Sequence, residues 1–258
     1  MGDASIYAAP RKVTDLGDCD FYHTMEIPGY GLVQGQWDLR AGIRDYLGNL
    51  GFAGKRVLEV GTASGFLCFE MERQGAEVVA YDLSDADAWD LVPMAGIDFD
   101  AEMSIRKKHI RRLNNSYWLA HRAFASRARV VYGDAYSIPE AIGEVDICLF
   151  ASVLLHLRDP FLALQRALSL TRETVIVTDR LARRSLRNRM VARLTGPHML
   201  FLPDHRKGGP LEAWWYPSAE AVVRMVGVLG FNRAAISHHA HPFEGVQHRL
   251  FTVVAHRV

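Results

Sequence analysis

The sequence predicts a three-layer α/β fold, in which helices cover both faces of a mostly parallel sheet. The first observation is that short apolar segments alternate with helical patterns along most of the chain, as strands buried on both faces do. The second is a glycine-containing turn, EVGTASG, between the first such strand and a helix. The third is that only nine residues, AHPFEGVQH, separate the last two strand patterns. That loop is too short for a parallel crossover, so the last pair is expected to be antiparallel.

Size and composition exclude several classes of protein. The 258 residues are 49% hydrophobic and 23% charged, which provides a core and excludes wholesale disorder. The net charge of +1 does not indicate a polyanionic partner. No segment approaches the roughly 18 apolar residues of a membrane helix, so we expect a cytoplasmic protein without a membrane partner. Cys19, Cys68 and Cys148 are widely spaced, and neither a disulfide framework nor a metal site is predicted.

The domain organisation follows from where these patterns begin. Residues 1–50 are predicted to form an N-terminal arm and a helix over 38–50, because apolar residues recur there at helical spacing and Gly51 follows. Residues 51–258 are predicted to form one domain. Two insertions into it, at about 86–128 and 181–216, are expected to form a lid. The first of them is mostly a basic amphipathic helix.

The elements of this domain follow one another in a regular order. The predicted strands are 56–60, 77–82, 128–132, 145–151, 174–179, 233–239 and 249–258. A helix over 66–74 ends at Gly75. The helix after the strand at 145–151 has Asp159 as its N-cap and Pro160 in its first turn, and the last helix lies between Ser218 and Gly230.

The glycine turn predicts the kind of ligand that the domain holds. Gly61 and Gly65 are four residues apart and follow Glu59, unlike the G-x-G-x-x-G of a dinucleotide site. A carboxylate before the turn repels phosphate and suits a cation. Asp82, at the end of the second strand, can accept hydrogen bonds from both ribose hydroxyls. The predicted ligand is therefore a positively charged nucleoside without a pyrophosphate, which S-adenosyl-L-methionine fits.

These residues resemble the motifs of class I S-adenosylmethionine-dependent methyltransferases. Glu59, Gly61 and Gly65 match the family's E/D-x-G-x-G-x-G with Ala63 as the middle residue, and YGDAYSIP and VDICLFASVLLHLRDP are similar to its third- and fourth-strand motifs. The resemblance implies a Rossmann-like sheet of seven strands with an antiparallel last hairpin. It also implies that Asp82 binds the ribose, Asp134 the adenine amino group and the Ala135 backbone the ring. The cofactor-binding residues implied in this way are Glu59, Gly61, Thr62, Ala63, Gly65, Asp82, Leu83, Asp134, Ala135 and Ser152.

A narrower resemblance concerns the segments FYHTMEI, LLHLRDP and WWYPS. They are similar to the branch that includes the tRNA wobble-uridine carboxymethyltransferases. That enzyme has a tyrosine that helps to recognise a carboxylated cofactor, where this chain has Leu155. The difference favours the ordinary cofactor, S-adenosyl-L-methionine.

Three residues near the expected sulfonium carry a prediction and an alternative. His156 lies where the chain leaves the strand at 145–151, so its imidazole suits a general base or, alternatively, a bond to a backbone carbonyl. Trp37 and Arg40 are predicted to close over the methionine end of the cofactor and its carboxylate. Alternatively, Trp37 packs against the sheet and Arg40 pairs with a surface acid.

Candidate acceptor contacts come from both ends of the chain and are Tyr22, His23, Trp214, Trp215 and Tyr216. The last three belong to the insertion that is expected to project over the carboxyl end of the sheet, where open α/β folds bind ligands. The alternatives are an ordered N-terminal arm for the first two and a packing anchor for the others. Two basic stretches, 107–112 and 180–194, are predicted to be solvated helix faces, with an anionic substrate or RNA as the alternative.

The predicted function is methyl transfer to an oxygen, nitrogen or carbon of a small-molecule acceptor, natural-product or sugar-like. A tRNA-modifying methyltransferase, or an enzyme that uses the same cofactor for cyclisation, is the alternative. A nucleotide-dependent oxidoreductase and a binding-only protein are further alternatives from other classes. Nucleic acid is the less favoured partner, and the oligomeric state stays open.

Overall fold

A computed structural model describes residues 6–87, 89–181, 196–206 and 209–258. The strands are β1 (Met25–Ile27), β2 (Gly31–Val33), β3 (Arg56–Val60), β4 (Glu77–Asp82), β5 (Arg129–Tyr132), β6 (Val145–Ala151), β7 (Thr171–Arg180), β8 (Met199–Phe201), β9 (Trp215–Pro217), β10 (Arg233–Phe243) and β11 (Val246–His256). The α-helices are α1 (Ile43–Tyr46), α2 (Phe66–Arg73), α3 (Phe99–Ala123), α4 (Pro160–Leu168) and α5 (Ala219–Val228). None of the helices in these described ranges combines the length and apolarity that a membrane span needs.

Seven strands form the central sheet, in the order β10-β11-β7-β6-β3-β4-β5. The five strands from β7 to β5 are parallel to one another. β11 runs antiparallel to both β7 and β10. The predicted α/β fold, with its parallel sheet and antiparallel last hairpin, is therefore confirmed. Because all five central strands run the same way, their carboxyl ends meet at one edge.

Each face of the sheet packs against its own layer of helices. Neighbouring residues of β3 point to opposite faces, so Val57 joins one buried cluster and Leu58 the other. The Val57 cluster contains side chains of α2 and α3, including Met71 and Trp118. The Leu58 cluster contains side chains of α4 and α5, including Leu164. The sheet is thus covered on both sides, which explains why its strands are continuously apolar.

The helix boundaries predicted from an N-cap residue or a terminal glycine agree with the structure. Asp159 Oδ1 accepts a hydrogen bond of 2.9 Å from the Leu162 N–H at the start of α4. Ser218 Oγ accepts one of 3.2 Å from the Ala221 N–H at the start of α5. Gly75, with φ +94°, follows α2 in the left-handed conformation that favours glycine.

The helix predicted over 38–50 is wrong in extent. The chain forms a 3₁₀ turn at Arg40–Gly42, and α1 covers only Ile43–Tyr46. Gly48 and Asn49 then adopt left-handed conformations, with φ +69° and 57°, which ends the helix before Leu50. A Cβ at Gly48 would lie 2.3 Å from Val254 Cγ2, so the chain turns away in contact with β11.

The predicted length of the loop between the last two strands, nine residues, is also wrong. β10 and β11 continue through most of it, and only Glu244 and Gly245 connect them. Both residues have positive φ, 48° and 77°, as a two-residue hairpin turn requires. The extended hairpin reaches the N-terminal arm, where the Glu244 N–H donates to the Gln36 carbonyl over 2.7 Å.

Candidate active site

A cavity of about 1090 Å³ lies at the carboxyl edge of the sheet. Each of the five parallel strands contributes to its lining a residue at, or within two positions of, its carboxyl end. These residues are Gly61 after β3, Asp82 of β4, Asp134 after β5, Ser152 after β6 and Arg180 of β7. Convergence of strand ends on one cavity is the usual arrangement of a ligand site in an open α/β sheet.

The turn after β3 needs glycine for two separate reasons. Gly61 has φ +80°, and a Cβ there would lie 2.5 Å from Val153 Cγ2. Gly65 has φ +87°, and its Cβ would lie 2.6 Å from the Phe69 ring. Ala63, in place of the family's middle glycine, also has a positive φ of 51°. Both glycines therefore fit a left-handed turn packed closely against its neighbours.

Asp82 is tied to this turn. One carboxylate oxygen accepts the Ala63 N–H over 2.7 Å, and the other accepts the Leu83 N–H over 2.7 Å. Burial raises the pKa of the Asp82 carboxyl, while the two N–H groups oppose that shift. Each oxygen keeps lone pairs for a further donor, as a ribose hydroxyl would supply.

Glu59 lies behind the turn and not in the cavity wall. Its side chain has no exposed surface, and Thr62 Oγ1 donates a hydrogen bond of 2.7 Å to Oε2. Oε1 has no hydrogen-bond partner among the described residues. Burial, with the nearby charge of Asp82, raises the pKa of Glu59 to about 8. A positive charge nearby would favour the charged form of this carboxyl and lower its pKa, so the buried acid is compatible with a positively charged nucleoside.

The other side of the predicted cofactor site is formed by the segment after β5. Asp134 and Ala135 both line the cavity, as does Leu83. Asp134 Oδ1 accepts the Tyr136 N–H over 2.7 Å, and the Asp134 carbonyl accepts the Tyr81 hydroxyl over 2.7 Å. These bonds hold the segment in a fixed turn beside the cavity.

Ser152 lines the cavity beside the end of β6. It has a positive φ of 56°, and its hydroxyl is 3.2 Å from the Tyr46 hydroxyl. Its N–H donates to the Thr178 carbonyl over 2.7 Å. The strained turn is therefore supported by both α1 and β7.

The N-terminal arm brings Tyr22 to the cavity but not His23. The Tyr22 hydroxyl accepts a hydrogen bond of 3.2 Å from Trp37 Nε1, and burial raises the pKa of Tyr22. The His23 N–H donates to Ser64 Oγ over 3.2 Å, behind the glycine turn. Burial lowers the pKa of the His23 imidazole to about 3. The structure therefore does not support the predicted acceptor contact for His23.

Trp37 and Arg40 do not close over the cavity. Trp37 is buried, and its ring packs 5.0 Å from that of Phe243 in the C-terminal hairpin. Arg40 forms an ion pair of 2.7 Å with Asp38 and lines a separate cavity of about 460 Å³ near α2. The reason is the 3₁₀ turn, which replaces the expected helix. The alternative, packing for Trp37 and a surface acid for Arg40, is what the structure shows.

His156 lines the cavity in a 3₁₀ turn, Leu154–His156. Its Nδ1 forms a hydrogen bond with the Glu212 carbonyl oxygen, so Nδ1 is the donor and Nε2 is left without a proton in the neutral ring. Burial lowers the pKa of His156. A neutral imidazole with a fixed tautomer can accept a proton at Nε2. The predicted carbonyl bond and a base role are thus compatible.

Asp90 connects several loop segments of the cavity wall, and the sequence did not indicate this role. Its carboxylate accepts the Tyr136 hydroxyl, the Arg158 N–H and the Arg158 guanidinium. Its carbonyl accepts Trp214 Nε1 over 2.8 Å. One residue thus joins segments that follow β4, β5 and β6 to the segment before β9. Asp90 belongs to an irregular segment without periodicity, so no sequence signal marked it.

The three aromatic residues of WWYPS have different positions. Trp214 is buried and bound to Asp90, and Trp215 Nε1 donates to the Arg158 carbonyl over 3.2 Å. Neither belongs to the cavity lining, whereas Tyr216 does. The packing alternative therefore describes the tryptophans, and an acceptor contact stays a prediction only for Tyr216.

The cavity lining has further residues that the sequence did not single out. Trp89 lies 5.4 Å from the His156 ring, and the Arg106 guanidinium lies 4.9 Å above the Trp89 ring. Arg106 follows Glu102 by one helical turn, with an ion pair of 2.5 Å. The i, i+4 spacing on α3 was the available signal, but its direction towards the cavity depends on the tertiary fold.

The structure describes one basic stretch, 107–112, in full but little of the other, 180–194. On α3, Lys107, Lys108 and Arg111 are exposed, as the solvated-face prediction expects, whereas Arg112 pairs with Asp20 over 2.9 Å. In the stretch 180–194, residues 182–194 lie outside the described part of the chain. Arg180 itself lines the cavity.

Solved structures with TM-scores of 0.50 or more support the fold. The N-terminal domain of EvdMO1, crystallised with S-adenosylhomocysteine and D-fucose, matches at TM-score 0.53 and 16% identity, over 92% of this chain and 91% of that chain. A putative methyltransferase from Bacillus halodurans C-125 matches at TM-score 0.50 and 13% identity, over 84% and 99%. Magnesium protoporphyrin IX methyltransferase from Synechocystis PCC 6803 matches at TM-score 0.49 and 16% identity, over 85% and 82%. No curated protein matches significantly.

The family assignment comes from the sequence itself. The model of a family described as a methyltransferase domain matches residues 35–233, which is well over half of the chain. The matched region includes the glycine turn, Asp82 and the strand ends that line the cavity. The chain therefore belongs to the methyltransferase domain family, and the predicted class of enzyme is confirmed.

Proposed function

We propose that this methyltransferase transfers a methyl group from S-adenosyl-L-methionine to an oxygen, nitrogen or carbon atom of a small-molecule acceptor. The observation that carries the proposal is the bond between Asp82 and the Ala63 N–H, which sets a carboxylate beside the glycine turn at the cavity. This arrangement suits a ribose next to a cationic group and does not suit a pyrophosphate.

Different residues around the cavity would contact different parts of the cofactor. Asp82 would bind the ribose hydroxyls, and Leu83, Asp134 and Ala135 would contact the adenine. The methionine part would lie over Gly61 and Ala63, with Glu59 and Thr62 supporting the turn from behind. When bound, S-adenosyl-L-methionine supplies a methyl group on a positively charged sulfur.

The size of the cavity supports a second small ligand. Its volume of about 1090 Å³ is slightly above the roughly 300–1,000 Å³ common for one ligand. The segments that contain Asp90 and Glu212 contribute to its wall. Alignment of two bound reactants can supply about 7 to 11 kcal/mol of the barrier. The chain therefore acts mainly by holding the acceptor atom in line.

His156 is the residue that we propose as proton acceptor. Its bond to the Glu212 carbonyl fixes the tautomer and leaves Nε2 as the free acceptor atom. Since burial lowers its pKa, the imidazole is neutral at pH 7 and available as a base for a hydroxyl or amine acceptor.

A tRNA acceptor is the second candidate, and it is supported by one surface feature. Lys107, Lys108 and Arg111 form an exposed basic face on α3, and such a face attracts a polyanion. Leu155, where the resembling carboxymethyltransferases have a tyrosine, argues for the ordinary cofactor in this case too.

One experiment tests the proposal. The purified protein is titrated with S-adenosylhomocysteine by calorimetry and then incubated with S-adenosyl-L-methionine, a panel of small phenols, amines and sugars, and bulk tRNA. Mass spectrometry identifies the released nucleoside and the product. We expect S-adenosylhomocysteine and a methylated small molecule. Methylthioadenosine would indicate cyclisation chemistry, a methylated tRNA would favour the second candidate, and tight binding of a nicotinamide cofactor instead would indicate an oxidoreductase.

A further inference from the structure

Among the described residues, three arginines line the cavity, and two of them have carboxylate partners. Arg106 forms an ion pair of 2.5 Å with Glu102 and a longer one of 3.7 Å with Glu212. Arg158 forms an ion pair with Asp90. The charges of these two side chains are therefore balanced within the cavity wall.

Arg180 differs from both. No carboxylate of the described residues lies within ion-pair distance of its guanidinium. One N–H donates to His248 Nδ1 over 2.7 Å, and the guanidinium carbon lies 5.7 Å from the Trp37 ring centroid and 5.5 Å from that of Phe243. A guanidinium has five N–H donors in a planar fork that matches a carboxylate. Most of these donors have no acceptor in the described structure.

Asp179, the preceding residue, forms no ion pair with the Arg180 guanidinium, although the two groups interact electrostatically. Neighbours on a strand point to opposite faces of the sheet, and the Asp179 carboxylate accepts the backbone N–H of Arg180 over 2.7 Å. The Asp179 side chain is fully buried, and burial raises its pKa to about 7, so near neutral pH the carboxyl is only partly charged. Burial raises the pKa of Tyr22 and lowers that of His156; the positive charge of Arg180 opposes the first shift and adds to the second, so it contributes positive potential in this part of the cavity.

The position of Arg180 separates it from the cofactor side. Arg180 is the last residue of β7, and Asp82 is the last residue of β4, three strands away in the sheet. Three strand spacings place the two strand ends about 14 Å apart. The glycine turn after β3 and Ser152 after β6 lie between them. Arg180, Tyr22 and Phe243 thus line the part of the cavity beyond the residues assigned to the nucleoside.

We propose that the acceptor is a small organic acid and that Arg180 binds its carboxylate. The inference rests on the proposed function, because it assumes that the Asp82 side of the cavity holds the cofactor. A half-buried cation without a carboxylate partner is unfavourable, and an anionic ligand that pairs with it regains the lost solvation. The amino-acid carboxylate of the cofactor has the same chemistry, so the experiment must distinguish the two sources.

The first arm of the experiment measures S-adenosylhomocysteine by calorimetry in the wild type, in Arg180→Met and in Arg166→Met. Arg166 is an exposed arginine of α4 outside the cavity lining and controls for the change of charge. We expect affinities within about threefold of one another. A loss of more than about tenfold confined to Arg180→Met would assign Arg180 to the cofactor carboxylate and overturn the proposal.

The second arm uses matched acids and amides on protein saturated with S-adenosylhomocysteine: benzoate and benzamide, nicotinate and nicotinamide, indole-3-acetate and indole-3-acetamide. We expect at least one acid to bind about tenfold more tightly than its amide. Arg180→Met should abolish that preference, Arg166→Met should keep it, and Arg180→Lys should keep part of it, because it retains the charge without the planar fork.

The outcomes separate this inference from the proposed function. If no acid is preferred over its amide, or if Arg180→Met keeps the preference, the acidic acceptor is wrong while the cofactor site stands. If the wild type does not bind S-adenosylhomocysteine, the proposed function itself fails. Circular dichroism checks that Arg180→Met is folded. If it is not, Arg180→Lys is used instead to compare acid and amide binding with the wild type.

Discussion

The Oδ2 atom of Asp82 accepts the backbone N–H of Ala63 over 2.7 Å, so the end of β4 holds the turn that follows β3. The two segments are adjacent in the sheet but 19 residues apart in the chain. Asp82 therefore has two roles, as a proposed ribose ligand and as a support for the glycine turn. Substitutions at this position test both.

Asp82→Ala should weaken binding of S-adenosylhomocysteine by more than about tenfold. Each hydrogen bond to a charged group contributes roughly 1.5 to 3 kcal/mol, and the variant loses bonds to the ligand as well as the bond to Ala63. Calorimetry gives the affinity. Glu77→Ala, at the exposed opposite end of the same strand, is the control and should bind normally. An affinity for Asp82→Ala within twofold of the wild type would remove Asp82 from the site.

Gly61→Ala should destabilise the protein more than Gly54→Ala. Both glycines have positive φ, +80° and +70°, so alanine is strained at either position by about 1 to 2 kcal/mol. Only at Gly61 does the added Cβ meet an atom, Val153 Cγ2 at 2.5 Å, whereas nothing lies within 4 Å at Gly54. Urea unfolding measures the difference. Adding Val153→Ala to Gly61→Ala should recover part of it, and equal losses at the two glycines would contradict the packing explanation.

His156→Ala should lower turnover by about 10² to 10⁴ while S-adenosylhomocysteine affinity stays nearly unchanged, because a general base acts in the transition state. The lowered pKa places the acid limb of the wild-type rate profile below pH 6.5. This limb should disappear in the variant. The assay uses the acceptor found in the screen, with His238→Ala on the exposed face of β10 as the control. A variant that is equally active would exclude His156 as the base.

Glu59→Gln should stabilise the ligand-free protein more at pH 8 than at pH 5. The pKa of Glu59 is raised from 4.5 to about 8 in the folded chain, so the folded state binds the proton more tightly than the unfolded state. The stability from this proton is complete below pH 4.5 and is lost as the pH rises towards 8. Because each pKa unit corresponds to about 1.4 kcal/mol, the loss amounts to a few kcal/mol.

Thermal unfolding of the wild type and Glu59→Gln at several pH values measures this effect as a difference between two proteins. Taking this difference removes the contributions of His23 and His239 to the pH dependence of stability, because both proteins contain them. Their lowered pKa values make the folded protein less stable as the pH falls, which is the opposite of the Glu59 effect. If the difference does not grow between pH 5 and pH 8, Glu59 is not protonated in the folded protein.

The cofactor side of the site was predictable because its residues lie on short, local motifs. The strand, the turn and the helix that carry Gly61 and Gly65 are consecutive, and Asp82 ends the next strand. Each of these elements has a period or a cap that a sequence shows directly. The roles of the individual residues in binding stay predictions.

The long-range contacts around the cavity were not predictable in the same way. Asp90 meets Tyr136, which is 46 residues away, and no local pattern indicates that contact. Trp37 was expected to act with Arg40, its near neighbour in sequence, but the guanidinium above its ring belongs to Arg180. Propensity indicated a helix at 38–50, and tertiary contact with β11 replaced most of it by turns. Long-range packing decided each of these cases.

The bond between Glu244 and Gln36 joins positions 208 residues apart, and it bears on the order in which the protein folds. Contacts of such long range form late, because a large loop must close before they contribute. The proposed ribose and adenine residues, from Gly61 to Ala135, lie on a continuous stretch, and the bond between Asp82 and Ala63 spans only 19 residues. Phe243 packs against Trp37, far from it in sequence. We therefore expect the acceptor side of the cavity to form last during folding and to be the first part lost when the C-terminal hairpin is weakened.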